Sequence, residues 1–210
     1  LAGGEDVNGD GLDDIVIGDG GYDPTGSVPT YNTGAAFVVY GKSGERPTVA
    51  LGSLAAAGEG FAILGPDNNG YMEAVGMAGD VNGDGIDDLI VGDGGPYYGS
   101  PFQGFAAIVY GSADRTGNVA LSRAGLAPAV GFMVESSSTG DGTGSAVSGT
   151  GDVNGDGYDD VVIGAPRSSA AGSAGNAYVV YGGESHETVA LEPAGLPAAT
   201  GFVVHGPAQG

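Results

Sequence analysis

A nine-residue pattern, Asp-Val-Asn-Gly-Asp-Gly-x-Asp-Asp, occurs three times in this chain, opening at Asp6, Asp80 and Asp152 and running each time into an apolar stretch rich in β-branched residues. Other landmarks keep the same spacing. Tyr40, Tyr110 and Tyr181 follow a Val, Leu51, Leu121 and Leu191 close a Val-Ala-Leu, and Phe61, Phe132 and Phe202 follow a Gly, so the period is about 70 residues. Self-similarity at a fixed period is the mark of an array whose units bury their apolar faces against one another. Three units are expected, over residues 1–70, 71–140 and 141–210.

Within a unit the apolar runs are short. In the second they are 72–78, 89–91, 105–110 and 131–135, each of strand length and separated by turn residues. This predicts a four-stranded antiparallel meander. The second and third runs are apolar at every position, so both faces of those strands need cover. Small sheets stacked face to face meet that need in the manner of propeller blades. The segments after Leu51, Leu121 and Leu191 have room for a brief helical turn between third and fourth strands, with Gly and Pro keeping it short. The expected fold is therefore all-β, three four-stranded β-propeller blades.

Charge narrows the partners. With 5 Lys+Arg against 26 Asp+Glu, the net charge is 5 − 26 = −21. Nucleic acid and anionic membrane surfaces, which are held by Lys and Arg, are not expected partners, and cations are. Zero Cys removes disulfides and thiolate ligands. No apolar run reaches membrane-spanning length, and no signal sequence precedes Leu1; the missing initiator Met suggests a processed or excised piece.

The aspartate loop has the ligand spacing of a hard cation site. In the second copy Asp80, Asn82 and Asp84 at positions 1, 3 and 5 bring side-chain oxygens together, Gly85 permits the sharp turn, Ile86 at position 7 offers its carbonyl, and Asp88 at position 9 closes the set. Counting Asp88 as bidentate, that is about six oxygens, which suits Ca²⁺ better than Mg²⁺. Without a cation, two carboxylates about 5 Å apart repel by about 3 kcal/mol at an effective dielectric of about 20. An EF-hand needs an acid at position 12 followed by a helix; here position 12 is Ile17, Val91 or Ile163, inside an apolar run. The plainer alternative is an Asx-rich turn that binds nothing, against which stand three copies with the same side-chain ligands. Asp13, Asp87 and Asp159, at position 8, are expected to lie behind the ligands or face solvent.

Asp-x-Asn-x-Asp-Gly-x-x-Asp followed by an apolar strand and Gly-Ala-Pro, as in 151–166, resembles the FG-GAP repeat of integrin α-subunit β-propellers. The resemblance implies that each loop joins the innermost to the second strand of a blade and holds Ca²⁺ at one face of the propeller, three ions in all. By position it implies the ligand sets Asp6, Asn8, Asp10, the Leu12 carbonyl and Asp14; Asp80, Asn82, Asp84, the Ile86 carbonyl and Asp88; and Asp152, Asn154, Asp156, the Tyr158 carbonyl and Asp160. Gly-Ala-Pro stands only at 164–166; the first two copies have Gly18-Asp19-Gly20 and Gly92-Asp93-Gly94.

The expected role is a non-catalytic, calcium-binding recognition or adhesion module with a protein or carbohydrate ligand, placed outside the cell or on its surface, where Ca²⁺ fills modest sites. Tyr22, Tyr31, Tyr97, Tyr98 and Phe102, in the loops between second and third strands, are candidate stacking faces; the alternative is that they pack across their own loops. His186 and His205 share no motif and no catalytic role is expected of them. Three blades fall short of the roughly four to eight that close a propeller. Hence the other expectation: further blades in a longer chain, or self-association head to tail into a ring, filament or surface array.

Overall fold

The computed structural model describes residues 1–23, 33–45, 48–66, 71–95, 103–168, 175–192 and 195–207. The first unit holds β1 (Ala2–Glu5), β2 (Asp14–Asp19), β3 (Ala35–Val39), a 3-10 turn (Leu51–Ser53), the one-turn helix α1 (Leu54–Ala57) and β4 (Gly60–Leu64). The second holds β5 (Ala74–Gly79), β6 (Asp88–Asp93), β7 (Phe105–Val109), β8 (Val119–Ala120) and β9 (Gly131–Ser136). The third holds β10 (Ala146–Gly151), β11 (Asp160–Ala165), β12 (Asn176–Val180), β13 (Val189–Leu191) and β14 (Gly201–His205). The molecule is all-β and propeller-like.

Each unit builds an antiparallel meander: β1-β2-β3-β4, β5-β6-β7-β9 and β10-β11-β12-β14. The apolar runs fill the second and third strands, and β3, β6 and β7 are buried along their whole length. Each inner pair carries a bulge at its loop end, between Gly3 and Glu5, Met77 and Gly79, and Gly149 and Gly151. The bulge bends the chain into the aspartate loop.

The meanders stack face to face. Val16, Val38, Phe61 and Ile63 of the first sheet share a core with Leu89, Val91, Phe105 and Met133 of the second. The opposite face of the second, with Ile90, Ile108, Phe132 and Val134, packs on Val161, Ile163, Tyr178 and Val180 of the third. Alternating residues of one β-strand point to opposite faces, so the uniformly apolar runs serve two cores at once. The inner strands β1, β5 and β10 line a common cleft, where Gly76 and Gly149 admit a close approach of the β5 and β10 backbones.

The four-stranded unit needs one correction. The helical turn expected between third and fourth strands forms in the first unit as α1, whereas in the other two no helix forms among the described residues and the Val-Ala-Leu ahead of the segment crosses to the preceding sheet. β8 lies parallel to β4, pairing Val119 with Ile63, and β13 lies parallel to β9, pairing Val189 with Val134. Two of the sheets thus have five strands. The cause is the alternation in Val-Ala-Leu: Val119, Leu121, Val189 and Leu191 turn inward and are buried, while the backbone pairs with the otherwise open edge of the sheet in front. Asn118 adds a side-chain bond, its Oδ1 accepting from the Ala62 amide at 2.9 Å.

Candidate metal centres

The three aspartate loops join inner to second strands and repeat one hydrogen-bond scheme. In the second loop Asp80 accepts from the Asp84 amide through Oδ1 (3.0 Å) and from the Gly85 amide through Oδ2 (2.9 Å). Asn82 Oδ1 accepts from the Asp84 amide at 2.8 Å, and Asp84 Oδ1 from the Ile86 amide at 2.9 Å. Asp88, on the first residue of β6, accepts from Val81 (2.9 Å) and Gly111 (2.8 Å). Asp6, Asn8, Asp10 and Asp14 reproduce this with the amides of 10, 11, 12, 7 and 41. Asp152, Asn154, Asp156 and Asp160 reproduce it with 156, 157, 158, 153 and 182. The left-handed glycines Gly83 and Gly85, at φ 75° and 89°, turn these amides inward.

Two electrostatic classes result. The carboxylates at positions 1 and 5 stand at the rim, the first part-buried in Asp6 and Asp80 and the others exposed, with the position-3 Asn between them, whereas Asp14, Asp88 and Asp160 are fully buried. Burial pushes the Asp88 carboxyl up to about 7, and the nearby charges of Asp84 and Asp80 add to the rise against the two amides that donate to it. Asp14 is pushed up to about 6, and Asp160 upward, by the same causes. Asp152 moves the other way, held below the ordinary carboxylate range by the Gly157 amide and three further amides. Each loop thus carries a buried acid whose ionised form lacks a compensating positive charge.

Among the described residues no three Asp, Glu or His side chains stand together as a ready cation cage. The carboxylate oxygens are engaged by the loop's own amides. The donor set is nonetheless all oxygen, hard and anionic, and so matched in chemistry to Ca²⁺. The Leu12, Ile86 and Tyr158 amides point to the position-5 carboxylates, and their side chains sit at the loop surface.

The position-8 aspartates tie one loop to the next. Asp87 Oδ2 accepts from the Asp6 amide at 2.9 Å, while the Asp87 amide donates to the Asp6 carbonyl at 3.4 Å. Asp159 does the same to Asp80, at 3.0 and 3.1 Å. The loops therefore lie side by side at one end of the stacked sheets. Asp13 is exposed. Of the two roles expected at position 8, solvent-facing describes Asp13, and Asp87 and Asp159 are inter-unit clamps. The signal that could have found them is their occurrence in every copy beside an acid already used. Glu5 joins this seam, its Oε2 accepting from Gly79 at 3.0 Å, with its carboxyl raised by burial and by Asp87 and Asp159.

The other candidates separate. Tyr22 packs edge-on against Phe37 with centroids 5.2 Å apart, so it covers its own sheet. Tyr31, Tyr97, Tyr98 and Phe102 lie outside the described residues. His186 stacks on Phe132 at 4.4 Å, and His205 ends β14 beside Asn176. Where Gly-Asp-Gly replaces Gly-Ala-Pro, the Asp closes the turn: Asp93 accepts from Tyr71 and Gly95, and Asp19 from Gly21.

Residues 143–180 match the FG-GAP repeat. The chain is also similar to integrin alpha pat-2 of Caenorhabditis briggsae, 34% identical over 180 residues, and to integrin alpha pat-2 of Caenorhabditis elegans, 32% identical over the same length. Each alignment takes in 79% of this chain and 13% of the relative.

Proposed function

We propose that this FG-GAP repeat chain is a non-catalytic, calcium-binding β-propeller module for recognition or adhesion outside the cell, with a protein or carbohydrate as its ligand. The observation that carries the reading is the buried aspartate of each loop, Asp14, Asp88 and Asp160, raised in pKa beneath a rim of further carboxylates. A dication at the rim reverses that penalty. Asp, Asn, Asp, the position-7 carbonyl and the buried Asp would hold it, and three ions would take the formal charge from −21 to −21 + 6 = −15. The ion supplies structural charge, joining the loop to the strand that follows; the protein supplies the pre-bent loop and the amides that orient the carboxylates.

The similarity to integrin alpha chains supports a place at the cell surface and a recognition role. No helix among the described residues is long and apolar enough to cross a membrane. The blades would be 1–70, 71–140 and 141–210, with the row of aspartate loops as the calcium face.

Isothermal titration of chelator-stripped protein tests the metal. Three Ca²⁺ per chain are expected, with two for Asp84→Ala, and the melting temperature should climb as Ca²⁺ is added. At a hundredfold excess over the dissociation constant one site contributes about 2.7 kcal/mol by mass action. A melting temperature indifferent to chelator, starting from Ca²⁺-saturated protein, would overturn the reading.

A further inference from the structure

At the edge of the first sheet, β8 and the turns between β8 and β9 enclose a cavity of about 280 Å³. Its apolar walls are Val119 and Ala120 of β8 with Leu126, Ala127 and Val130 of the turns. Backbone bonds fix those turns: the Gly125 amide donates to the Ser122 carbonyl at 2.9 Å, and the Val130 amide to the Ala127 carbonyl at 2.7 Å. The cavity is therefore preformed. Its polar lining is Arg115 and Asn118. Asn118 Oδ1 already accepts from the Ala62 amide, which leaves that side chain its Nδ2 donors. The polar lining thus offers donors and no free side-chain acceptor.

Arg115 is a cation without an anion. Its guanidinium lies over the Phe61 ring, 4.8 Å from the centroid, and its Nη2 donates to the Tyr110 carbonyl. Among the described residues no carboxylate forms an ion pair with it, and its Nε is buried with no acceptor. Burial lowers its pKa, against the opposing pull of Tyr40 and Asp88, yet a guanidinium stays charged at neutral pH. Stacking on Phe61 fixes the plane in which it donates, and a planar fork of N–H groups matches a carboxylate. The net charge of −21 repels anions at long range. At physiological ionic strength that field is screened beyond about 8 Å, whereas a pair formed inside the cavity lies well within that distance. In the third unit the equivalent position is His186, stacked on Phe132 with centroids 4.4 Å apart. Burial lowers its pKa, so it is neutral at pH 7 and supplies no such charge.

We propose that this cavity binds the C-terminal residue of a peptide or protein partner, with its free carboxylate on Arg115 and Asn118 and an apolar last side chain against Leu126 and Val130. Two observations choose a peptide over other anions. The walls are apolar, which suits an ion such as phosphate or sulfate poorly, because its remaining oxygens would be left without partners. The second observation is the backbone beside the cavity. β8 is the outermost strand of its sheet. The Leu121 amide donates to the Leu64 carbonyl of β4 at 3.0 Å, and main-chain groups alternate sides along a strand, so the N–H and C=O of Ala120 face the open edge. Ala120 also lines the cavity. A chain that pairs with β8 there brings its end to Arg115, combining strand addition with capture of a terminal carboxylate. Because His186 carries no charge, one site per chain is expected. The inference rests on the recognition part of the functional reading, with a protein as the ligand, and not on calcium.

Amide NMR of the full chain tests it, with three probes: N-acetyl-Ala-Ala-Leu carrying a free carboxylate, the same peptide as its C-terminal amide, and 4-methylpentanoate. The free-acid peptide at millimolar concentration should give saturable shifts at Val119, Ala120 and Ala127, with one peptide bound per chain. The C-terminal amide should bind about tenfold more weakly, because it loses the charge-assisted pair. Arg115→Gln should abolish the shifts. Ala127→Trp, at an exposed position on the cavity wall, should abolish them too by filling the space, with native circular dichroism retained. If Arg115→Gln fails to fold, the Ala127→Trp protein and the amide peptide decide. No saturable shift in the wild type, equal affinity for acid and amide, or undiminished binding by Ala127→Trp overturns the proposal. Binding of 4-methylpentanoate as tight as that of the peptide overturns the peptide as occupant. The calcium titration above is a separate measurement, so the failure of either reading leaves the other standing.

Discussion

At the scale of the residue, the loops are governed by where each carboxylate stands. Asp88 is raised to about 7 in the folded protein, so folding favours its protonated form. In chelator its contribution to stability is present below an ordinary Asp pKa of about 4 and is lost as pH rises through about 7. The calcium-free melting temperature should fall over that window, Asp88→Asn should flatten the fall, and saturating Ca²⁺ should reverse it, because a cation favours the ionised form. Melting curves at several pH values check all three. Gly79 makes a second residue-scale case. It holds φ 73°, and a Cβ there would stand 2.0 Å from the Asp159 oxygen that clamps the Asp80 amide. Gly79→Ala is expected to cost about 1–3 kcal/mol, read by urea unfolding. The convergence of each loop's Asp and Asn oxygens was legible in the sequence, because Asx side chains at this spacing accept from amides two to five residues on. The clamp role of Asp87 and Asp159 was not, because it depends on an amide some 80 residues away in the chain.

At the scale of the element, the sequence announces strands well and their partners poorly. The continuous apolar runs became β2, β3, β6, β7, β11 and β12. β8 escaped because its two residues carry no periodic signal of their own. The strand exists only because β4 offers an open edge, and the chain reaches that edge from a unit further on. It nevertheless fastens one sheet to the next. Asn118→Ala should cost about 1 kcal/mol by leaving the Ala62 amide without its acceptor. Leu191→Ala, at a fully buried site, should cost about 2–5 kcal/mol through lost burial and the cavity left behind. Chemical denaturation with a two-state fit separates these from a control at the exposed Ala190, where the change should be near zero. A large effect at 190 and a small one at 191 would mean that β13 does not hold the sheets as described.

At the scale of the whole molecule, the chain is a short array in which each sheet is stabilised chiefly by its neighbours, so stability depends on position in the row. The second sheet is packed on both faces, with Leu89, Ile90, Ile108 and Met133 all fully buried. The third is packed on one, and its inner strand β10 and outer strand β14 carry exposed positions where β5 and β9 do not to the same degree. Local opening costs least where fewest apolar contacts are broken. Amide exchange should therefore be slowest in β6 and β7, and faster in β10 and β14. Mass-resolved exchange at a fixed Ca²⁺ concentration reads the difference strand by strand. Equal protection of β7 and β14 would show instead that each unit is stable alone, and that the stacked cores contribute little to holding the array together.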